Sequence, residues 1–323
     1  MINEIKRIRA KKMMKSVRDA LNYLCWKFDE RKDIIMVRTV GDDNPFGIMI
    51  KTDDEKELLQ FITFFEKTPD ESFFEETAIL ASKMNAVTPI GAFILNKSRG
   101  AVGFQIICSY CQSVYDPGAI IEMLVSCCYI IDGANDLFTS FFEGKSSIDE
   151  VLRIYEGRIN DWLNERDGDK DYEEEKSEAR ANFEIICSSL DSISYRYDKN
   201  EKNLNAYFFV TGDDTPIEML FEADTYNKVL RLTCGLDVEF AEVKTGIIAQ
   251  ACCYATGRCT NGSFFIDENK VYFKIETPYA GSLLHNELVL YMLNAASDLC
   301  DHFNDSFKML CDGDMMLDEF CEL

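Results

Sequence analysis

Gly41-Asp42-Asp43-Asn44-Pro45 returns as Gly212-Asp213-Asp214-Thr215-Pro216, 171 residues further along a chain of 323. Each copy stands between two extended apolar runs, so each reads as a polar turn in which Gly, Asp and Pro take their usual parts. An echo at about half the chain length marks the duplication of a whole unit, because solenoid repeats have periods of only ~20–50 residues. Whatever the first half folds into, the second half must fold into as well. The doubled acids do not read as a catalytic pair. Glycosidase-type chemistry needs two carboxylates facing each other across a substrate, and neighbours on a turn point apart.

The elements follow in the same order in both halves. A helix over about Met14–Phe28 precedes the strand Ile34–Val40, the acidic turn and the strand Phe46–Ile50. A third extended run, Leu58–Phe65, ends at Pro69-Asp70, and a helix over Ser72–Asn85 follows with Ser72 as its expected N-cap. Gly91–Asn96 and Ala101–Ile107 form a hairpin. Asp116-Pro117 then caps and opens a long helix to about Phe142. In the second half the counterparts are a helix over Glu178–Leu190, Tyr207–Val210, Ile217–Phe221, Lys228–Thr233 and a helix over Glu239–Tyr254. The hairpin Gly262–Asp267 with Lys270–Ile275 follows, and a last helix opens at Thr277-Pro278. Strands joined by short turns pair antiparallel. The expected fold is therefore α+β: two tandem units of order α-β-β-β-α-β-β-α, each an antiparallel sheet of about five strands with helices on one face and its own core. The units are expected at 1–145 and 178–323. Between them lie a linker helix, with Ile148, Val151, Leu152, Tyr155, Ile159 and Trp162 on one face, and an acidic stretch, together 146–177.

Composition narrows the function classes. A formal net charge of −23 disfavours nucleic acid as a partner. The one basic cluster is Lys6, Arg7, Arg9, Lys11, Lys12 and Lys15, read as a solvated helix that complements the acidic body. No run of about 18 apolar residues suggests an integral membrane segment, and no apolar stretch behind the basic N-terminus suggests a signal peptide. Thirteen scattered cysteines, mostly within apolar runs, fit buried free thiols in a reducing cytoplasm.

Motifs with chemistry are few. Cys108-Ser109-Tyr110-Cys111 lacks the second half-site of a structural zinc centre. Asp167, Asp169, Asp171 and Glu178 have EF-hand spacing, but Tyr172 stands where the loop needs Gly. His285 and His302, both placed on the last helix, are not repeated in the first unit, and a Cys-His or Ser-His-Asp site would need one of them close to a nucleophile. No phosphate loop or dinucleotide fingerprint is present, and no catalytic residue, metal site or cofactor is expected. One segment has the character of a binding element: the acidic C-terminal stretch with Met315, Met316, Leu317 and Phe320, suited to dock in a hydrophobic groove in cis or on a partner.

The order of elements resembles the YbjN-like family, related in fold to type III secretion chaperones. So does the hairpin that begins Gly-x-Phe and passes an amide or acid (Phe93 to Asn96; Phe264 to Asp267). The resemblance covers nearly all of both halves and implies a non-enzymatic protein-binding or regulatory module. Chaperones of this fold pair as dimers around an extended partner segment, and a tandem chain supplies that pairing within one polypeptide. They are usually near half this length, and the linker helix has no counterpart in them. The alternative function is a small-molecule or ion sensor using the cleft between the units.

Overall fold

The computed structural model describes residues 2–40, 45–65, 67–96, 100–111, 114–167, 172–211, 216–281 and 284–323. The first unit consists of α1 (Ile2–Tyr23), β1 (Phe28–Arg31), β2 (Ile34–Val40), β3 (Pro45–Asp53), β4 (Leu58–Phe64), α2 (Phe74–Val87), β5 (Ala92–Asn96), β6 (Ala101–Ser109) and α3 (Pro117–Phe142). Next comes α4 (Ile148–Asp167). The second unit follows as α5 (Tyr172–Ser192), β7 (Asp198–Asn200), β8 (Asn205–Thr211), β9 (Pro216–Asp224), β10 (Val229–Glu239), α6 (Thr245–Arg258), β11 (Ser263–Asp267), β12 (Lys270–Pro278), α7 (Asn286–Asp312) and α8 (Leu317–Phe320). The fold is mixed α+β, with two antiparallel six-stranded sheets, ordered β1-β2-β3-β4-β6-β5 and β7-β8-β9-β10-β12-β11.

The duplication is visible in side-chain roles as well as in order. Asp53 Oδ1 accepts from Glu55 and Lys56 N–H at 3.1 and 3.0 Å, and Asp224 Oδ1 accepts from Tyr226 and Asn227 N–H, both at 3.0 Å. Gly91 and Gly262 take φ of +80° and +92°, and a Cβ on either would lie 2.5–2.6 Å from a backbone carbonyl of the next strand or from a ring carbon. Only glycine fits that bend. Counterparts stand 171 residues apart as far as the end of β11. From β12 onward they stand 169 apart, because β5 and β6 are joined by four residues and β11 and β12 by two.

Several expectations need correction. Each sheet has a sixth strand, β1 or β7. These are short polar edge strands that show no apolar alternation because only one side is paired. The first helix starts at Ile2, so the basic segment is its first half, and it ends at Tyr23. There Arg9 pairs with the buried Glu57 at 2.7 Å and Lys6 donates to Glu55 O at 2.7 Å, clasping the β3–β4 turn. Ser72 caps nothing: a 3-10 turn over Glu71–Phe73 leads into α2, whose N-terminus has no side-chain cap. β10 runs on to Glu239, so α6 begins at Thr245 rather than at Glu239. Thr277 and Pro278 finish β12 instead of opening α7, and His285 precedes that helix as its N-cap residue. Asp116 caps α3 as expected, its Oδ1 accepting from Ala119 N–H at 3.0 Å. The acidic turns at 41–44 and 212–215 lie outside the described residues. The strands they join pair antiparallel, Val40 opposite Pro45 and Thr211 opposite Pro216.

The helices α1 and α3 cover the inner face of the first sheet, and α5 and α7 that of the second. Instead of two separate cores, the buried apolar residues form one continuous cluster through both units. α2 packs on α6 and on β11, and α6 packs on α2 and on β5, an exchange with the look of an isologous dimer interface. Among the described residues, α3 alone has the length and composition to cross a membrane, and half of that stretch is buried inside the fold.

Candidate functional site at the seam and on the first sheet

α2 ends where Thr88 precedes Pro89, since the residue before proline is held extended and proline offers no N–H. The carbonyls just past that helix end meet two cations of the second unit, Lys274 buried and Arg231 half-buried. Lys274 Nζ donates to Thr88 O at 2.8 Å, and Arg231 Nη2 donates to Pro89 O at 2.8 Å. The partial negative charge of a helix C-terminus favours cations there. Glu276 ties the pair together. Its Oε1 accepts from Arg231 Nε at 2.8 Å and lies 3.4 Å from Lys274 Nζ, while its Oε2 accepts from Gly91 N–H at 3.0 Å. Glu222 and Asp224 stand 3.5 and 3.3 Å from Arg231 Nη1.

Burial sets the protonation of this cluster. It pushes the Lys274 ammonium below the usual lysine value, against the pull of Glu276. It raises the Glu222 carboxyl, against Arg231. For Arg231 burial is outweighed by Glu276, Asp224 and Glu222, so the guanidinium stays charged. The counterparts of Lys274, Glu276, Arg231 and Glu222 in the first unit are Gln105, Ile107, Gln60 and Lys51. The ionic lock is thus built on one side of the pseudo-symmetric seam only. On the other side Lys56 Nζ donates to Thr260 Oγ1 at 3.2 Å.

Above the lock opens a cleft of about 420 Å³. Its walls include Glu222, Arg231 and Tyr272 of the second sheet, Asn227 of the β9–β10 turn, and Ile159 and Leu163 of α4. α4 is held in place by Tyr155, whose hydroxyl lies 2.9 Å from Thr88 Oγ1, by Arg158 on Asp136 at 2.6 Å, and by Trp162 stacked on Tyr129 at 4.7 Å. The cleft holds two titratable groups shifted by burial, Glu222 and Lys274, and among the described residues no histidine or cysteine lines it.

A second concavity, of about 530 Å³, lies on the outer face of the first sheet, lined by Met36, Arg38, Phe46, Met49, Ile62 and Phe64 among others, all from β2, β3 and β4. None of these residues was singled out from the sequence, since Met and Ile on strands read as core.

The residues singled out from the sequence do not gather at either place. Cys108 is buried at the end of β6 and Cys111 half-buried, both thiols raised chiefly by burial, away from the thiolate a reactive pair needs. His285 and His302 are exposed. The acidic stretch at 168–171 lies outside the described residues, and no cluster of His, Cys, Asp and Glu fit for a metal occurs among the described residues. The C-terminal candidates fold back in cis. Phe320 is fully buried and packs on Phe303, Phe307 and Tyr254, while Met315 and Leu317 are partly buried against the same core. Phe320 is therefore a core residue in this conformation, and Met316 alone of the four is exposed, at 67%.

Comparison with protein-family models, with curated proteins and with solved structures gives no match.

Proposed function

We propose that the chain is a non-enzymatic protein-binding module of YbjN-like, secretion-chaperone-like character, an internal pseudo-dimer whose open first sheet engages a protein partner. The observation that carries this reading is the groove on the outer face of that sheet, with Met36, Met49 and Ile62 in one row across three strands. Apolar side chains left half-exposed together mark interaction surfaces more often than chance placement does. The charged seam serves this function by fixing how the two units sit, a role that buried ionic groups take in some proteins. The site of action is a reducing, cytoplasmic compartment, which the thirteen free thiols support. The test is affinity capture with the full chain and with Ile62→Glu: a discrete partner retained by the former and lost by the latter supports the reading, and identical recovery contradicts it.

A second reading, a small-molecule sensor, draws on the seam cleft, where Arg231, Asn227 and Tyr272 converge. A ligand there raises Tm by mass action in a thermal-shift screen, and the rise disappears in Tyr272→Ala.

A further inference from the structure

The outer face of the first sheet is ordered by its register. Met36 lies opposite Met49, and Met49 opposite Ile62; beside that row Arg38 lies opposite Gly47, and Ile34 opposite both Arg31 and Lys51. Gly47 is not required by the fold, because a Cβ there would meet only Val37 O at an ordinary 3.7 Å. What its missing side chain does is leave the groove open beside Met49.

The charges of this face run against those of the protein. Arg31 and Arg38 are exposed and Lys51 half-buried, and none of the three has an ion-pair partner among the described residues. Among the described residues its carboxylates are Asp29 at the edge and Asp53, whose Oδ1 is taken by the N–H groups of Glu55 and Lys56. On the second sheet the counterparts of Arg38, Gly47 and Lys51 are Phe209, Glu218 and Glu222. A cleft beside that face is walled by α4, which packs on α2 and α3 and whose sequence carries Asp149, Glu150, Glu156, Asp161, Glu165 and Asp167 against Arg153, Arg158 and Arg166. An acidic amphipathic helix thus borders one outer sheet face across a cleft, while its buried stripe packs on α2 and α3. The counterpart of the start of α4 is α8: Gly144 and Gly313 both take positive φ, and Ile148-Asp149-Glu150-Val151 answers Leu317-Asp318-Glu319-Phe320. α8 packs on α6 and α7 and does not line the first-sheet groove.

We infer that the outer face of the first sheet docks an acidic amphipathic helix of a partner protein, its apolar side on the Met36–Met49–Ile62 row and its carboxylates at Arg31, Arg38 and Lys51. This rests on the protein-binding reading above and adds the chemistry of the partner. The net charge of −23 makes it a sharp claim, because the field of the whole protein favours a basic helix and only the local face favours an acidic one.

The test uses two synthetic amphipathic peptides of about 18 residues, long enough to hold a helix, with the same leucine and phenylalanine face and either glutamate or lysine on the other side. Each is titrated against the full chain by fluorescence anisotropy. The glutamate peptide is expected to bind at least about tenfold tighter. Arg38→Glu reverses the preference, and Gly47→Glu, which installs the second sheet's residue, removes binding while Tm is kept. Tighter or equal binding of the lysine peptide, binding of neither, or indifference to Gly47→Glu overturns the inference. So does self-association of the chain, or binding to phosphatidylserine vesicles, that Gly47→Glu abolishes, since the face then belongs to a second copy or to a membrane. If any of these occurs while capture sensitive to Ile62→Glu persists, the acidic-helix inference falls and the protein-binding reading stands.

Discussion

Glu276 holds groups from both units at once: Arg231 and Lys274 of its own sheet and the Gly91 N–H of the other unit. Neutralising it leaves the buried Lys274 and the half-buried Arg231 with less compensation, and breaking a buried pair from one side costs about 3–5 kcal/mol. Glu276→Gln is accordingly expected to be the most destabilising change in the lock, read as a fall in the midpoint of urea unfolding. Glu222 behaves in the opposite sense. Burial raises its carboxyl in the folded state, so its contribution is fully present below the unfolded carboxylate value and is lost as pH rises through the folded one. Glu222→Gln should therefore raise Tm near pH 7, with the gain gone by about pH 4, where the unfolded carboxyl is itself largely protonated. A loss of Tm near neutrality would contradict the sign. These roles could not be read from the sequence. Arg231 and Glu276 are separated by 45 residues, and the Pro89 carbonyl and Gly91 N–H that they meet belong to another unit, so no local pattern joins them.

At the scale of elements, α2 is tied to β5 by Asn85, which donates to Phe93 O at 3.0 Å and accepts from Phe93 N–H at 2.6 Å. In the second unit Thr256 does the same for Phe264, at 3.2 and 2.8 Å. Two different side chains solve one problem, that of an edge strand whose backbone groups would otherwise be buried unpaired. Thr256→Ala is expected to cost about 1–3 kcal/mol in chemical denaturation. The end of the chain divides the same way: Phe320→Ala should cost about 3–5 kcal/mol, and Met316→Ala should stay within about 0.5 kcal/mol, as exposed positions do. Elements with a buried face were legible, such as β2 with Ile35 and Val37 inside, or α3 between Pro117 and Phe142. β1 and the last residues of β10 were not. The first is a polar edge, and the second is held by pairing with distant β12.

For the molecule as a whole, the duplicated turn fixed the two-unit plan, and the plan in turn exposes where the halves differ. Both sheets have the same strand order, yet the second carries the ionic lock and a cleft walled by α4, while the first keeps an apolar, cationic outer face. That asymmetry arises from substitutions such as Gly47 against Glu218 and Lys51 against Glu222. Their meaning depends on which face each strand turns outward, and this emerges only once the register is known. The account stands on the first face being the one that binds. The most direct test compares affinity capture by the full chain with Ile62→Glu on the first outer face and Leu220→Glu on the second, each checked for unchanged Tm. Loss of the partner in Ile62→Glu alone is the predicted result, and equal loss in both variants, or loss in Leu220→Glu only, would contradict it.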